Sequence, residues 1–127
     1  MREIKFRAWN KISKEMATVQ SIDNMNYSNG HIHKYICTDK GVWQWQKIIL
    51  MQFTGLKDKG GKENYHKDIL DWDGNRFVVE WDDDSGMWYG KPMAGNKERG
   101  VLAGLAFSNT LNIGNVHEHP ELPEEKK

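Results

Sequence analysis

The sequence predicts a mainly β protein with little helix. Six tryptophans and 12 glycines are spread along 127 residues, and aromatic-rich, glycine-punctuated chains suit small β folds. Apolar runs are short and several alternate with polar residues, the period of a half-buried strand. Long runs with apolar residues at three- and four-residue spacing are missing. A chain of this length fits one domain and buries roughly two thirds of its unfolded surface, so it needs no staple.

Ile4-Lys5-Phe6-Arg7-Ala8-Trp9 alternates, with Ile4, Phe6 and Ala8 on one face and Lys5, Arg7 and Trp9 on the other. It reads as a strand, followed by a polar turn from Asn10 to Glu15 and a hairpin partner over Met16 to Ile22. Asp23 to His33 is rich in Asn24, Asn26, Ser28, Asn29 and Gly30, all loop formers. Tyr35 to Thr38 is a short strand. Val42 to Gln46 alternates tryptophan with glutamine, placing Trp43 and Trp45 on one face. Ile48 to Phe53 is apolar at nearly every position, as in a strand covered on both faces or at the entry to a barrel.

Thr54 to Asn64 reads as a lysine-bearing loop, and Tyr65 to Trp72 as the next strand. Asp73-Gly74 is a two-residue hairpin signal, since glycine tolerates the positive φ of a type I′ turn. Asn75 to Trp81 alternates, with Phe77, Val79 and Trp81 on one face. Asp82 to Gly86 is a second turn and Met87 to Tyr89 the returning strand, giving a three-stranded meander. Lys91 to Gly100 is a loop, and Val101 to Leu111 is open between a short helix and a strand. Ile113 to Glu118 is a final strand, stopped by Pro120 and Pro123. The expected organisation is one domain: N-terminal strands over 1–46, a body over 47–119 and a flexible tail over 120–127.

Eighteen basic residues balance eighteen acidic ones, which argues against a strongly basic nucleic-acid binder but allows a local patch. The single Cys37 excludes an internal disulfide and a zinc site built on several cysteines. One cysteine and no apolar signal or membrane-length segment fit a soluble protein of a reducing cytoplasm.

Lys57, Lys59, Lys62 and Lys67 cluster around the central loop, where ammonium groups could hold phosphates. Arg7 and Trp9 would add a charged, stacking platform for a single strand. Asp58 and Glu63 in the same loop cancel charge and favour a merely solvated loop. Asp71-Trp72-Asp73-Gly74-Asn75 starts like a calcium loop, but Arg76 stands where the EF-hand glycine belongs. Turn chemistry explains it and Asp82-Asp83-Asp84 more simply. His31/His33 and His117/His119 each place two imidazoles on one face if extended, yet no HExxH-type motif supports a metal. Nucleophile elbows and phosphate-binding glycine loops are absent. Cys37 reads as a small buried hydrophobe. Most tryptophans should be core, with Trp9 and Trp72 the exposed ones. No metal or cofactor is expected.

Three segments carry a resemblance: REIKFRAWNKISKEM at 2–16, LMQFTGLKDKGGKENYHKDIL at 50–70 and IGNVHEHPEL at 113–122. With VVEWDDDSG at 78–86 between them, the chain resembles the YopX family of phage and prophage proteins. The resemblance implies a mainly β structure with an SH3-like small barrel in the second half, and a phage or prophage setting. It brings no established activity and no catalytic residues. In two places the chain departs from the family. Tyr65-His66-Lys67-Asp68 stands where the family usually has Tyr-Glu-Gly-Asp. That glycine implies positive φ, so Lys67 either changes the turn or takes strain of roughly 1–2 kcal/mol. The segment between Gly90 and Leu111 also matches poorly.

The first functional expectation is a non-enzymatic module contacting a host or phage protein. Nucleic-acid binding is an alternative, and a metal-assisted hydrolase using His117, His119 and a carboxylate is another. Self-association through strand edges is also expected to be open to such a fold.

Overall fold

A computed structural model describes residues 4–26, 28, 30–97 and 100–120. Asn29 and the tail beyond Pro120 lie outside the described residues. The described residues form two antiparallel sheets and two short 3-10 turns. The chain resolves into two compact units, one from Lys5 to Gln52 and one from Phe53 onward. The division falls inside a strand.

In the first unit, β1 (Phe6–Asn10) and β2 (Glu15–Asn26) form the expected hairpin. The Asn10 side chain closes its turn by accepting from the amides of Ile12 (2.9 Å) and Ser13 (3.0 Å). Next come β3 (Ile32–Thr38), β4 (Gly41–Gln44), a 3-10 turn at Trp45–Lys47 and β5 (Ile48–Lys57). Strand order is β4-β3-β2-β1-β5. Ala8, Ile36 and Ile48 form the core, with Val19, Trp43, Trp45 and Leu50 against it. Ile48 to Phe53 is buried or half-buried throughout, as its apolar run predicts.

The turn expected over Asp23 to His33 is shorter than the sequence suggests. Asp23 to Asn26 pairs in register with Ile32 to Tyr35, because ladder hydrogen bonds override the loop preference of Asp and Asn. A register shift between Val19 and Ser21 marks a bulge in β2. The bulge flips every later side chain. Val19 faces the core, Ser21 faces away, and Ile22 returns to the core side opposite Ile36.

In the second unit, β5 continues as Phe53 to Lys57 and pairs with β6 (Glu63–Tyr65). A turn at His66-Lys67 splits the strand expected from Tyr65 to Trp72, leaving β7 (Asp68–Trp72). The meander follows as β7, β8 (Asn75–Asp82) and β9 (Met87–Pro92). Asp73 and Gly74 have φ of 54° and 88°, the type I′ pair. Gly90 sits on the inner face of β9, where a Cβ would lie 2.9 Å from the Cβ atoms of Leu102 and Phe77. The ambiguous segment resolves into β10 (Leu102–Ala103), a 3-10 turn (Gly104–Asn109) that buries Phe107, and β11 (Leu111–Asn115). Leu70, Phe77, Val79, Trp88, Leu102 and Phe107 form this core.

The second sheet has the open order β10-β9-β8-β7-β11, so the expected barrel does not close among the described residues. β10 is only 2 residues long. At the other end, groups of β11 and the residue before it bond to the lysine loop instead of a strand. The Asn112 amide donates to Asp58 Oδ2 (2.8 Å), and the Thr110 carbonyl accepts from the Lys59 amide (2.8 Å).

Candidate functional site

The lysine loop is built around a buried acid. Asp58 Oδ1 accepts from the amides of Gly60 (2.9 Å) and Lys62 (2.8 Å), and Oδ2 from the amide of Asn112. Burial pushes this carboxyl up, but the amide bonds from Asn112, Lys62 and Gly60, with the nearby Lys62 charge, hold it below its ordinary 3.8. The Asn112 side chain in turn donates to Asn64 (2.9 Å) and Asp68 (2.7 Å). Asp58 is therefore an internal strut. Lys57, Lys59 and Lys62 stay exposed around it on an ordered loop.

Lys67 does not join them. Its backbone has φ of 76°, so the lysine takes the left-handed conformation that ordinarily favours glycine. Both peptide groups are used: the Lys67 amide donates to Val79 (2.9 Å), and its carbonyl accepts from Val116 (3.1 Å). The Lys67 ammonium bonds Glu80 Oε2 at 2.6 Å, and His66 Nε2 lies 3.1 Å from Oε1. Burial raises Glu80, but Lys67 and then His66 outweigh it and hold the carboxyl below its ordinary 4.5. Lys67, Val78, Glu80, Lys91, Met93 and Val116 are among the residues lining a recess of about 270 Å³. A carboxylate base working near neutral pH needs a raised pKa. Asp58 and Glu80 both move the other way.

The platform of Arg7 and Trp9 is corrected. Trp9 is only 7% exposed and Arg7 half-buried, with Arg7 Nη2 3.9 Å from Met51 Sδ. β1 is a central strand between β2 and β5, and it is covered on both faces. Trp72 is exposed at 38% as expected, while Trp81, expected inward, is 40% exposed at the sheet end and packs edge-on against Trp88.

The His117/His119 pair also differs from the extended pattern, while His33 lies within β3. β11 ends at Asn115, whose side chain accepts from the amides of His117 (3.0 Å) and Glu118 (2.8 Å). His117 and His119 thus sit in a turn, not along a strand face. Among the described residues no group of three His, Cys, Asp or Glu could hold a metal. The Asp82 side chain caps its own turn through the Asp84 amide (3.0 Å) and Ser85 hydroxyl (2.9 Å). Asp71 does the same for Gly74 (3.1 Å).

The feature missed by sequence reasoning is the outer face of β2-β3-β4. Pairing places Met25 opposite His33, Val42 opposite Cys37 and Gln44 opposite Tyr35, all away from the Ile36 core face. Met25, His33, Tyr35, Cys37, Val42 and Gln44 are among the residues lining a recess of about 420 Å³. Met25 is 44% and Val42 64% exposed. Cys37 is half-buried here, not a core residue. The alternation around Trp43 and Trp45 was the available signal, because it puts Val42 on the face opposite Trp43.

The matching family is described as YopX protein, over residues 5–124. Protein EF1440 from Enterococcus faecalis, a crystal structure, is similar with a TM-score of 0.62 and 26% identity, covering 97% of this chain and 99% of that one. Protein YopX from Bacillus subtilis, also a crystal structure, is similar in fold, with a TM-score of 0.56 and 19% identity over 100% of both chains. Comparison with curated proteins finds no match. The family match runs along almost the whole chain, from β1 through β11, and this protein belongs to the YopX family.

Proposed function

We propose that this chain is a non-enzymatic binding module for a protein partner, acting through the outer face of β2-β3-β4. The observation that carries it is the open apolar recess of about 420 Å³ on that face. Recesses with an apolar floor and a few polar groups are where partners seat. His33, Gln44 and Gln46 supply the polar rim here. A neutral net charge favours a protein over nucleic acid. The resemblance to phage and prophage proteins supports a phage or host protein as partner, and the single cysteine supports a cytoplasmic setting.

The test is affinity capture from cells that carry the gene natively. The wild type should retain a discrete protein. Met25→Asp with Val42→Asp should lose it, while Lys57→Ala, Lys59→Ala and Lys62→Ala together should keep it. Retention by the aspartate variant would reject this face.

A second reading rests on the loop. With Asp58 turned inward, Lys57, Lys59 and Lys62 are presented outward on an ordered frame, which suits phosphate contacts. A low-salt gel shift that disappears in the triple alanine variant would support it. No shift at low salt would end it.

A further inference from the structure

Among the described residues, β4 terminates the first sheet and pairs only with β3. In an antiparallel ladder, alternate residues of an edge strand turn their N–H and C=O groups outward. Edges left open in this way are normally blunted by proline, an inward charge or a bulge. Gly41-Val42-Trp43-Gln44 has none of these; its protection is limited to a length of 4 residues and the Lys40 that precedes it. Recesses flank the strand on both sides. On one side Asn10, Ile12, Ser13, Trp43 and Lys47 help line a space of about 320 Å³. On the other is the recess above Cys37 and Tyr35. Val42 and Gln44 border both. Ile12, at 71% exposed, is an apolar side chain at a hairpin turn that otherwise reads Lys-Ser-Lys.

This is the geometry of strand addition. Backbone pairing supplies the attachment, and side chains alternating to either side of the new strand find separate pockets. The charges around the edge select the occupant. Lys40 precedes β4, Lys47 follows it, and the Lys11 amide donates to the Lys47 carbonyl (2.8 Å); all three side chains are exposed. The acids nearby are Glu15, in register with Asn10, and Asp39, whose Oδ1 accepts from the Thr18 amide (2.9 Å). A second copy would bring lysines against lysines. We infer that β4 accepts an extended segment of another protein, with acidic residues at its ends and an apolar residue seated between Ile12 and Trp43.

This inference rests on the protein-binding reading and narrows it to one edge. The probe is a fluorescent nine-residue peptide alternating Glu and Ile, followed by anisotropy with the full chain. The expected result is saturable binding, weakened at least about tenfold by Lys40→Glu with Lys47→Glu, since opposing charges at a rim steer association. Binding should also be lost when the peptide is N-methylated on one alternate set of residues and kept when the other set is methylated. That asymmetry distinguishes backbone pairing from simple adhesion of an apolar peptide. Circular dichroism checks that each variant folds.

No saturation by about 1 mM peptide, the weak limit of useful recognition, would overturn the assignment. So would equal binding of a Lys–Ile peptide, or indifference to both methylated forms. A wild-type dimer in solution that Val42→Asp dissociates would assign the edge to a second copy instead. Captured protein that depends on Met25 but not on Lys40 and Lys47 would leave the protein-binding reading standing and reject the edge.

Discussion

The loop over residues 58–62 and the sheet β2-β3-β4 invert what their compositions suggest. The loop is polar and reads as solvated, yet its Asp58 is buried and fully bonded. The sheet carries Met25, Tyr35, Cys37 and Val42, yet that face is open. Polarity in a sequence reports what a side chain can bond to. Exposure depends on whether the fold brings that partner. The loop found its partners in Asn112 and Thr110, whereas on the sheet face Met25 and Val42 stay exposed.

The largest expected effect falls on the loop. Asp58→Ala leaves the amides of Gly60, Lys62 and Asn112 without their acceptor, and urea denaturation should show a loss of roughly 2–4 kcal/mol. A loss under about 0.5 kcal/mol, the usual range for surface substitutions, would mean the loop is solvated after all.

Acid should act through the same residue. Asp58 and Glu80 are both held below their ordinary values of 3.8 and 4.5. Near those values the unfolded chain binds more protons than the folded one, so stability rises with pH there. The contribution is complete above the ordinary values and is lost as pH falls through the depressed ones. Asp58→Asn should flatten the acid limb of a stability–pH curve. An unchanged limb would contradict the strut.

Fold was legible wherever chemistry was local. Asp73-Gly74 and Asp82 to Gly86 bond within a few residues, and both turns formed as read. Ile48 to Phe53 declared its coverage by being apolar at almost every position. Long-range pairing was not legible. Asp58 meets Asn112 across 54 residues, and nothing in the loop itself announces that partner. Trp9 alternates as if exposed, but β1 is central and both faces are covered. The bulge at Val19/Ser21 reverses the faces of β2, so a simple period of two could not assign Met25 to the open side. Of the candidate residues, Lys57, Lys59 and Lys62 are exposed, Lys67 is paired with Glu80, Trp9 is buried, and the β4 edge went unread.

A middle-sized effect sharpens the turn that joins β6 to β7. Lys67→Gly and Lys67→Ala both remove the ion pair with Glu80, but only glycine relieves φ of 76°. The glycine variant should be more stable than the alanine variant by about 1 kcal/mol. Equal stabilities would mean the turn relaxes without strain.

The smallest stability effect belongs to the open face. Val42→Asp exposes nothing and breaks no bond, so its stability should stay within about 0.5 kcal/mol of wild type. A larger loss would show that Val42 packs inward and that the recess is part of the core.

The most direct test of the binding face is photo-crosslinking from a reactive residue placed at position 42 and, separately, at position 59, in cells that carry the gene natively. A discrete protein adduct from 42 and none from 59 is the predicted result. An adduct from 59 alone would contradict it and move the binding surface to the lysine loop.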